Sequence, residues 1–240
     1  MRIRLFIFLV LKISSGLAQD TLRVSEDIFL VRISPHALVH VSWFSSEEFG
    51  RFSSNGLIVH NNGEALLFDT PMSDVMTKEL VTYINTELNL KITGFIPNHF
   101  HNDCTEGMDV LHEMGVTSFA GFLTNEILKA NGLEAASRSF DESLSLSLGE
   151  MKVECFYPGA AHSPDNIIAW VPSEKILFGG CMVKSNQSTG LGNIADADLK
   201  LWPQTIEKII SSYPDAEIVI PGHGNFGDKS LLMHSLKLLK

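Results

Sequence analysis

The sequence contains few cysteines and few basic residues, and each scarcity excludes a class of protein. Three cysteines in 240 residues are too few, and odd in number, for a disulfide framework, so at least one thiol must be free, buried or bound to a metal. The 18 Lys and Arg residues are outnumbered by 28 Asp and Glu residues, which gives a formal net charge of −10. Because so acidic a surface repels nucleic acid and anionic membranes, we expect neither as a partner.

The sequence also lacks an apolar run long enough to cross a membrane, and the apolar run near its start is short. Residues 5–11 are apolar, follow Arg2 and Arg4, and precede small residues that end at Ala18, which is the order of a secretory signal peptide. A membrane anchor is disfavoured because crossing a bilayer takes about 20 apolar residues. We predict that residues 1–19 are a signal peptide and that the mature protein is a periplasmic monomer without stable membrane association.

Residues 20–240 contain no low-complexity linker or short-period repeat, so we expect one domain. Hairpin strands followed by helices occur in two successive halves, which suggests an α+β fold with a four-layered αββα sandwich. Periodicity alone supports only a mixed α and β chain. Strands are predicted at 28–33, 37–44, 56–60, 65–69, 92–97, 117–120, 144–148, 152–157, 167–171, 176–178 and 217–220. Helices are predicted after an N-cap at Ser73 and at 107–114, 124–130, 203–213 and 229–240.

The strongest chemical signal is the run HFHND, which begins at His99 and directly follows an apolar strand-like run. In an extended segment, residues two apart project to the same side, so His99, His101 and Asp103 could converge at the end of a strand. A His-x-His pair alone is more often an incidental pair in a polar loop, and the added carboxylate weakens that interpretation only in part. Whether this run is a metal site therefore depends on candidate ligands elsewhere in the chain.

Three further candidate ligands follow predicted strands: His162 in PGAAHSPDN, Cys181 at the end of KILFGGC, and His223 in PGHG. Each alone has an ordinary structural explanation, but residues at the ends of strands can meet above one sheet edge. Six ligands suit two zinc ions that share a water-derived nucleophile, roughly 3.5 to 4 Å apart. The predicted sites are His99, His101 and His162, with one position open, and Asp103, Cys181 and His223.

These motifs resemble the class B metallo-β-lactamases, and within them the first subclass, from about residue 27 to the end. HFHND, GAAHSPDN, GGCMVKS, GLGNIADAD and PGHG occur in that family's order and approximate spacing. Related glyoxalases and lactonases typically carry Asp at the position of Cys181, and the second subclass carries Asn at the position of His99. The resemblance implies an αββα sandwich with two metals in a groove between the sheets. Glu106 replaces a usual glycine, which could alter a hydrogen bond around Cys181 or disfavour anionic substrates.

The resemblance also implies zinc-dependent hydrolysis of the β-lactam amide bond of penicillins, cephalosporins and carbapenems, and hence antibiotic resistance. Lys184 is then expected to bind the substrate carboxylate, Asn193 to donate to the developing oxyanion, and Asp103 to orient the nucleophile as well as bind metal. Residues 41–55 match a mobile flap, in which Trp43 and Phe49 are expected to contact substrate. An ordinary hairpin that tucks some of these rings into the core is the alternative.

Two further residues are expected to support the site or the fold, and two functions other than β-lactam hydrolysis stay open. Asp69 is expected to hydrogen-bond a ligand, and Cys155 to be a buried thiol. The alternatives are a hydrolase of the same fold acting on lactones, thioesters or other amides, and a secreted zinc-binding protein without catalysis. Cys181, Lys184 and the export signal favour the β-lactamase, and open coordination positions argue against a purely structural zinc site. Five histidines match no ligand position and are expected to be structural or at the surface: His36, His40, His60, His112 and His234.

Overall fold

A computed structural model describes residues 20–47 and 49–240 of the chain. The predicted signal peptide, residues 1–19, lies outside the described residues, so its assignment stays a prediction. Within the described ranges, no helix combines the length and the hydropathy that crossing a bilayer requires.

Two large β-sheets, one short two-stranded sheet and six helices make up the described fold. The first sheet contains, side by side, β1 (Thr21–Arg23), β2 (Ile28–Ser34), β3 (Ala37–Ser46), β4 (Gly50–Asn61), β5 (Glu64–Phe68) and β6 (Lys91–Ile96). A short two-stranded sheet pairs β7 (Phe119–Gly121) with β8 (Arg138–Phe140). The second large sheet contains, side by side, β9 (Ser143–Leu148), β10 (Met151–Phe156), β11 (Ile168–Val171), β12 (Ile176–Gly180) and β13 (Ile218–Pro221). The helices are α1 (Asp74–Thr86), α2 (Asn102–Thr105), α3 (Met108–Glu113), α4 (Phe122–Ala130), α5 (Trp202–Ser212) and α6 (Ser230–Leu238).

Three apolar cores hold four layers together. Leu67 and Phe68 are neighbours on β5 and point to opposite faces of the first sheet, because side chains alternate along a strand. Leu67 packs in the core that contains Leu80 of α1, whereas Phe68 packs between the sheets against Phe178. The third core packs the outer face of the second sheet against α5 and α6 and includes the fully buried Ile206 of α5. The order of layers is helix, sheet, sheet, helix, which confirms the predicted αββα sandwich.

Each half of the chain ends in a parallel pair of strands joined by a helix. In the first half α1 connects β5 to β6, and in the second half α5 connects β12 to β13. The start of α1 agrees with the sequence: the Ser73 hydroxyl accepts a hydrogen bond from the backbone N–H of Met76 at 3.2 Å. Because parallel strands run in the same direction, the loops that follow them emerge at one edge of the sandwich.

The structure differs from the predicted elements at four places. β4 begins at Gly50 rather than at residue 56, because its pairing with β3 continues to the pair Ser46 and Gly50. β1 and β8 have three residues each, too few to show an alternating pattern, and were not predicted. The single turn of α2 replaces the extended segment that was predicted for residues 99–103.

His40 of β3 is a buried histidine that should make folding depend on pH. Its side chain is 1% exposed, and Nε2 donates to the backbone oxygens of Phe68 and Asp69 at 3.1 and 3.2 Å. Burial lowers the pKa of His40 to about 4, while these two hydrogen bonds raise it by less. Between pH 6.5 and about pH 4, His40 therefore binds a proton in the unfolded chain but stays neutral in the folded chain. The free energy of unfolding falls as the pH falls through this range.

We predict that His40→Asn is less stable than wild type at pH 7, and that this deficit shrinks by about 2 kcal/mol between pH 7 and pH 5. The deficit shrinks because the wild-type chain loses His40-linked stability in this range and the variant has no such group to titrate. Urea unfolding of both proteins at a series of pH values measures the difference. Parallel stability curves would contradict the assignment.

Candidate metal centre

The six predicted ligands lie together at the edge of the sandwich where strands of both sheets end, with Asp103 in α2 and the other five outside helices and strands. Two residues follow β6, one lies between β10 and β11, one directly follows β12, and one follows β13. In that order these residues are His99 and His101, His162, Cys181, and His223. The structure thus brings together residues that are far apart in sequence.

Two asparagines join the sheets at this edge, and sequence reasoning missed both. Ile167 donates its backbone N–H to Asn98 O at 2.9 Å, and Asn98 Nδ2 donates to Ile167 O. From β4, Asn55 Nδ2 donates to the backbone oxygens of Pro221 at 2.9 Å and Gly224 at 2.8 Å. The loops after β6 and β13 are thereby tied to the opposite sheet. Spacing gave no sign of this role, because Asn is common in turns.

The first trio of imidazoles converges through one nitrogen of each ring. His99 Nε2 lies 2.9 Å from His101 Nδ1, which lies 3.2 Å from His162 Nε2. Burial lowers the pKa of His99 to about 3 and that of His162 to about 2, so both rings are neutral and able to ligate a metal. Ligand atoms around a tetrahedral zinc with bonds of 2.0 to 2.1 Å lie roughly 3.3 Å apart, and the observed spacing fits this arrangement.

Asp103 reaches the site by a route that the sequence did not predict. It lies in the first turn of α2, where the N–H groups of Cys104 and Thr105 both donate to His101 O. This turn brings Asp103 Oδ2 to 3.1 Å from His223 Nε2 and 3.3 Å from Cys181 Sγ. The extended geometry predicted for His99 to Asp103 is therefore wrong, although Asp103 still joins the predicted second set.

The second trio offers a carboxylate, a thiol and an imidazole within 4.8 Å of one another. Although burial raises the pKa of Asp103, hydrogen bonding from His223 and the nearby His99 hold it below its usual value. Burial also raises the pKa of the Cys181 thiol, which a bound metal would reverse. Cys181 additionally groups with His99 and His162 within 4.8 Å, so the two ligand sets adjoin. This donor set suits zinc.

The far nitrogens of two ligand rings are held by acceptors, which fixes the nitrogen that faces the site. His101 Nε2 donates to Asp196 Oδ2 at 2.9 Å, and His223 Nδ1 donates to Ser53 O at 2.8 Å. His101 therefore presents Nδ1 to the site, and His223 presents Nε2, the nitrogen that faces Asp103 Oδ2 and Cys181 Sγ. Asp196 was not singled out in the sequence, although it lies in the motif GLGNIADAD. The signal available in the sequence was that Asp196 is an acidic residue in the same motif as Asn193, a candidate substrate contact.

A pocket of about 440 Å³ opens above the ligands and contains several of the predicted substrate contacts. Lys184, Asn193 and Phe49 line it, together with Phe52 and Met72. The ligands His101, Asp103, His162 and His223 form part of the same lining. The pocket therefore joins the candidate metal ligands to a cation, an amide and apolar side chains.

Trp43, which was predicted to contact substrate, is not among the residues that line this pocket. Phe44 and Phe52 are directly paired across β3 and β4, so they share one face of the hairpin, and Phe52 lines the pocket. Trp43, one residue earlier, points to the other face. There the guanidinium carbon of Arg51 lies 5.3 Å from the indole centroid, and Arg51 pairs with Asp27 at 2.8 Å.

The remaining predicted residues lie outside the ligand sets. Asp69 Oδ1 accepts from the backbone N–H of Asn98 at 2.6 Å, so it supports the loop before His99 rather than a ligand side chain. Glu106 is exposed and does not line the pocket, and Cys155 is buried in β10. None of the five other histidines belongs to a candidate metal group among the described residues: His36, His40, His60, His112 and His234.

Comparisons with known sequences indicate the family to which this chain belongs. The search against protein-family models found no match. The chain is 42% identical over 223 residues to metallo-beta-lactamase type 2 of Bacteroides fragilis, covering 93% of this chain and 90% of the relative. It is 39% identical to metallo-beta-lactamase type 2 of Bacillus cereus, covering 89% of this chain and 83% of the relative.

Solved structures give the same result. A metallo-beta-lactamase from Pontibacter korlensis matches with a TM-score of 0.85 and 37% identity, covering 88% of this chain and 98% of that one. The structure of TMB-1 matches with a TM-score of 0.85 and 41% identity, covering 90% and 98%. Because sequence and fold agree over nearly the whole length of both relatives and chain, this protein belongs to the metallo-β-lactamase family.

Proposed function

We propose that this protein hydrolyses the amide bond of β-lactam rings in penicillins, cephalosporins and carbapenems, using two zinc ions, and so confers antibiotic resistance. The observation that carries the proposal is the meeting of two adjoining ligand sets at the base of one pocket that also contains Lys184 and Asn193. The names of the curated relatives support the same reaction class. Zinc bound to the two sets would supply Lewis acidity and a water molecule of lowered pKa.

Two polar side chains of the pocket are suited to hold a β-lactam. Lys184 is 8% exposed and offers a cation to the substrate carboxylate. Asn193 Oδ1 accepts a hydrogen bond from Ala195 N at 3.0 Å, which orients the side-chain amide. In this orientation we assign Asn193 Nδ2 as the donor to the lactam carbonyl oxygen as negative charge develops there.

Asp103 is proposed to serve both as a ligand and as an acceptor for the attacking water. Its Oδ2 faces Cys181 and His223, whereas Oδ1 lies 3.9 Å from His99 Nε2 of the other set. Oδ1 is therefore the oxygen placed to accept a hydrogen bond from a water molecule between the two sets. Such a bond would hold the water in line with a lactam carbonyl that Asn193 fixes.

The proposed setting is the periplasm. Residues 1–19 have the composition of a cleaved signal peptide, and the acidic chain suits a small-molecule substrate rather than nucleic acid or an anionic membrane surface. We propose that residues 20–240 are the mature enzyme and that it acts as a monomer. Peptide mapping of the N-terminus of the exported protein and sedimentation of the purified protein test these two statements.

The reaction class is tested by offering the purified mature protein a chromogenic cephalosporin and a lactone, with zinc and then with a chelator. We expect lactam opening that the chelator abolishes, because removing zinc removes the Lewis acid and the water molecule of lowered pKa. Absorbance at the wavelength of the opened cephalosporin measures the rate. Turnover of the lactone alone would instead support a hydrolase of the same fold, and metal binding without either activity a non-catalytic zinc protein.

The division of the ligands is tested by Cys181→Ser. We expect this variant to lose affinity for the second zinc more than for the first, because a serine hydroxyl is a much poorer zinc ligand than a thiolate. Zinc titration followed by calorimetry measures both affinities. Cys155→Ser, at a buried thiol of β10 outside the ligand sets, is the matched control and should retain both zinc ions. Equal loss of both metals from Cys181→Ser would contradict the division.

Asp196→Asn tests the support of His101. Because Asp196 accepts from His101 Nε2, we expect the variant to lose about 10- to 100-fold in zinc affinity or in kcat/KM. Asp198→Asn is the control: its carboxylate accepts from the backbone N–H groups of Lys200 and Leu201 and makes no contact with a ligand. Equal effects of the two substitutions would show that loop order, rather than the contact with His101, explains the loss.

A further inference from the structure

Lys184 has an unusual environment for a cation in an acidic protein. Its side chain is almost completely buried, and among the described residues no carboxylate lies within ion-pair distance of Nζ. The contact that Nζ does make is with the indole ring of Trp202, whose centroid lies 5.2 Å away. A buried ammonium is thus balanced by a ring face instead of by a counter-ion.

Trp202 is held rigidly in this position. It is the first residue of α5 and has no exposed surface. Its Nε1 donates to Met182 O at 2.9 Å, and its backbone N–H donates to Asp198 O at 2.9 Å. The same ring meets the imidazole of His162 edge to face, with centroids 5.9 Å apart. One indole therefore contacts both the pocket cation and a candidate metal ligand.

The chemistry of a ring face differs from that of a carboxylate in a way that matters for anion binding. A carboxylate partner would neutralise Lys184, and an incoming substrate carboxylate would have to displace it. An aromatic face stabilises the cation through the quadrupole of the ring but leaves the net charge and the N–H donors of the ammonium in place. Asp103 is close enough to Lys184 for charge attraction, so it is the acid that would compete for the ammonium.

We propose that Trp202 is a positioning residue that holds Lys184 as an uncompensated cation, ready to bind the carboxylate of a β-lactam. The inference rests on the proposed function, because it assigns the partner of Lys184 in that reaction. Trp202 does not touch the substrate. Its effect is expected on substrate binding through the carboxylate, with little effect on the bond-breaking step.

The experiment compares wild type, Trp202→Met and Trp202→Phe on a chromogenic cephalosporin and on the same compound with its carboxylate converted to a methyl ester. We expect Trp202→Met to raise KM for the free acid by about tenfold, with kcat changed by less than about twofold, and to leave KM for the ester unchanged. Trp202→Phe, which retains a ring face, should restore most of the affinity. Zinc content is measured for each variant because Trp202 also contacts His162.

Trp170→Met is the matched control. Trp170 lies in the same apolar core, is 9% exposed, and packs against Tyr213, with ring centroids 5.3 Å apart, rather than against Lys184. It should leave the ratio of the two KM values at its wild-type level. If Trp202→Met does not fold, Trp202→Phe decides, with a smaller rise in KM confined to the free acid.

The outcomes distinguish failure of the proposed function from failure of the role assigned to Trp202. Wild type that opens neither compound overturns the proposed function and this inference with it. Wild type that opens the free acid, together with Trp202 variants whose KM values for acid and ester match those of wild type, overturns the inference alone. Equal rises for both compounds, or a fall in kcat with unchanged KM, would also overturn it, because Trp202 would then act only on the fold or on His162.

Discussion

The metal centre depends on hydrogen bonds that tie the ends of two sheets together. Asn98 bonds across to Ile167, and Asn55 bonds across to the loop that carries His223. Without these bonds, ligands from different sheets would have no fixed separation, and backbone groups buried at the junction would lack partners. The amide side chain suits this task because its Nδ2 donates to backbone oxygens without adding charge beside a cluster of ligands.

Burial sets the electrostatics of the pocket floor. It holds His99 and His162 neutral, so their ring nitrogens can face one another at short range without repulsion between cations. The acidic residue Asp103 is retained as a carboxylate by His223 and His99, which lie in contact with it or near it. Lys184 lies beside these groups with its ammonium against the ring of Trp202, so the pocket combines a lysine with two neutral imidazoles and a carboxylate.

Much of the fold could be predicted from the sequence, and the failures have physical causes. The amphipathic spacing of α1 and its Ser73 cap predicted that helix correctly, and the two layers of strands followed from hairpin runs in each half. β1 and β8 escaped prediction because three residues carry no periodicity. α2 escaped because a single turn is decided by local bonds to His101 O, which the pattern HFHND does not reveal.

The sequence by itself determined which chemical groups are present at the ends of strands: imidazoles, a thiol, a carboxylate and a lysine within a few short motifs. The tertiary structure alone decided how they face one another. The turn of α2 directs Asp103 to Cys181 and His223, the pairing of β3 with β4 directs Trp43 away from the pocket, and Asp196 meets His101 from a distant loop. Side-chain direction depends on backbone turn, strand register and contacts between remote segments, and residue order alone specifies none of these locally.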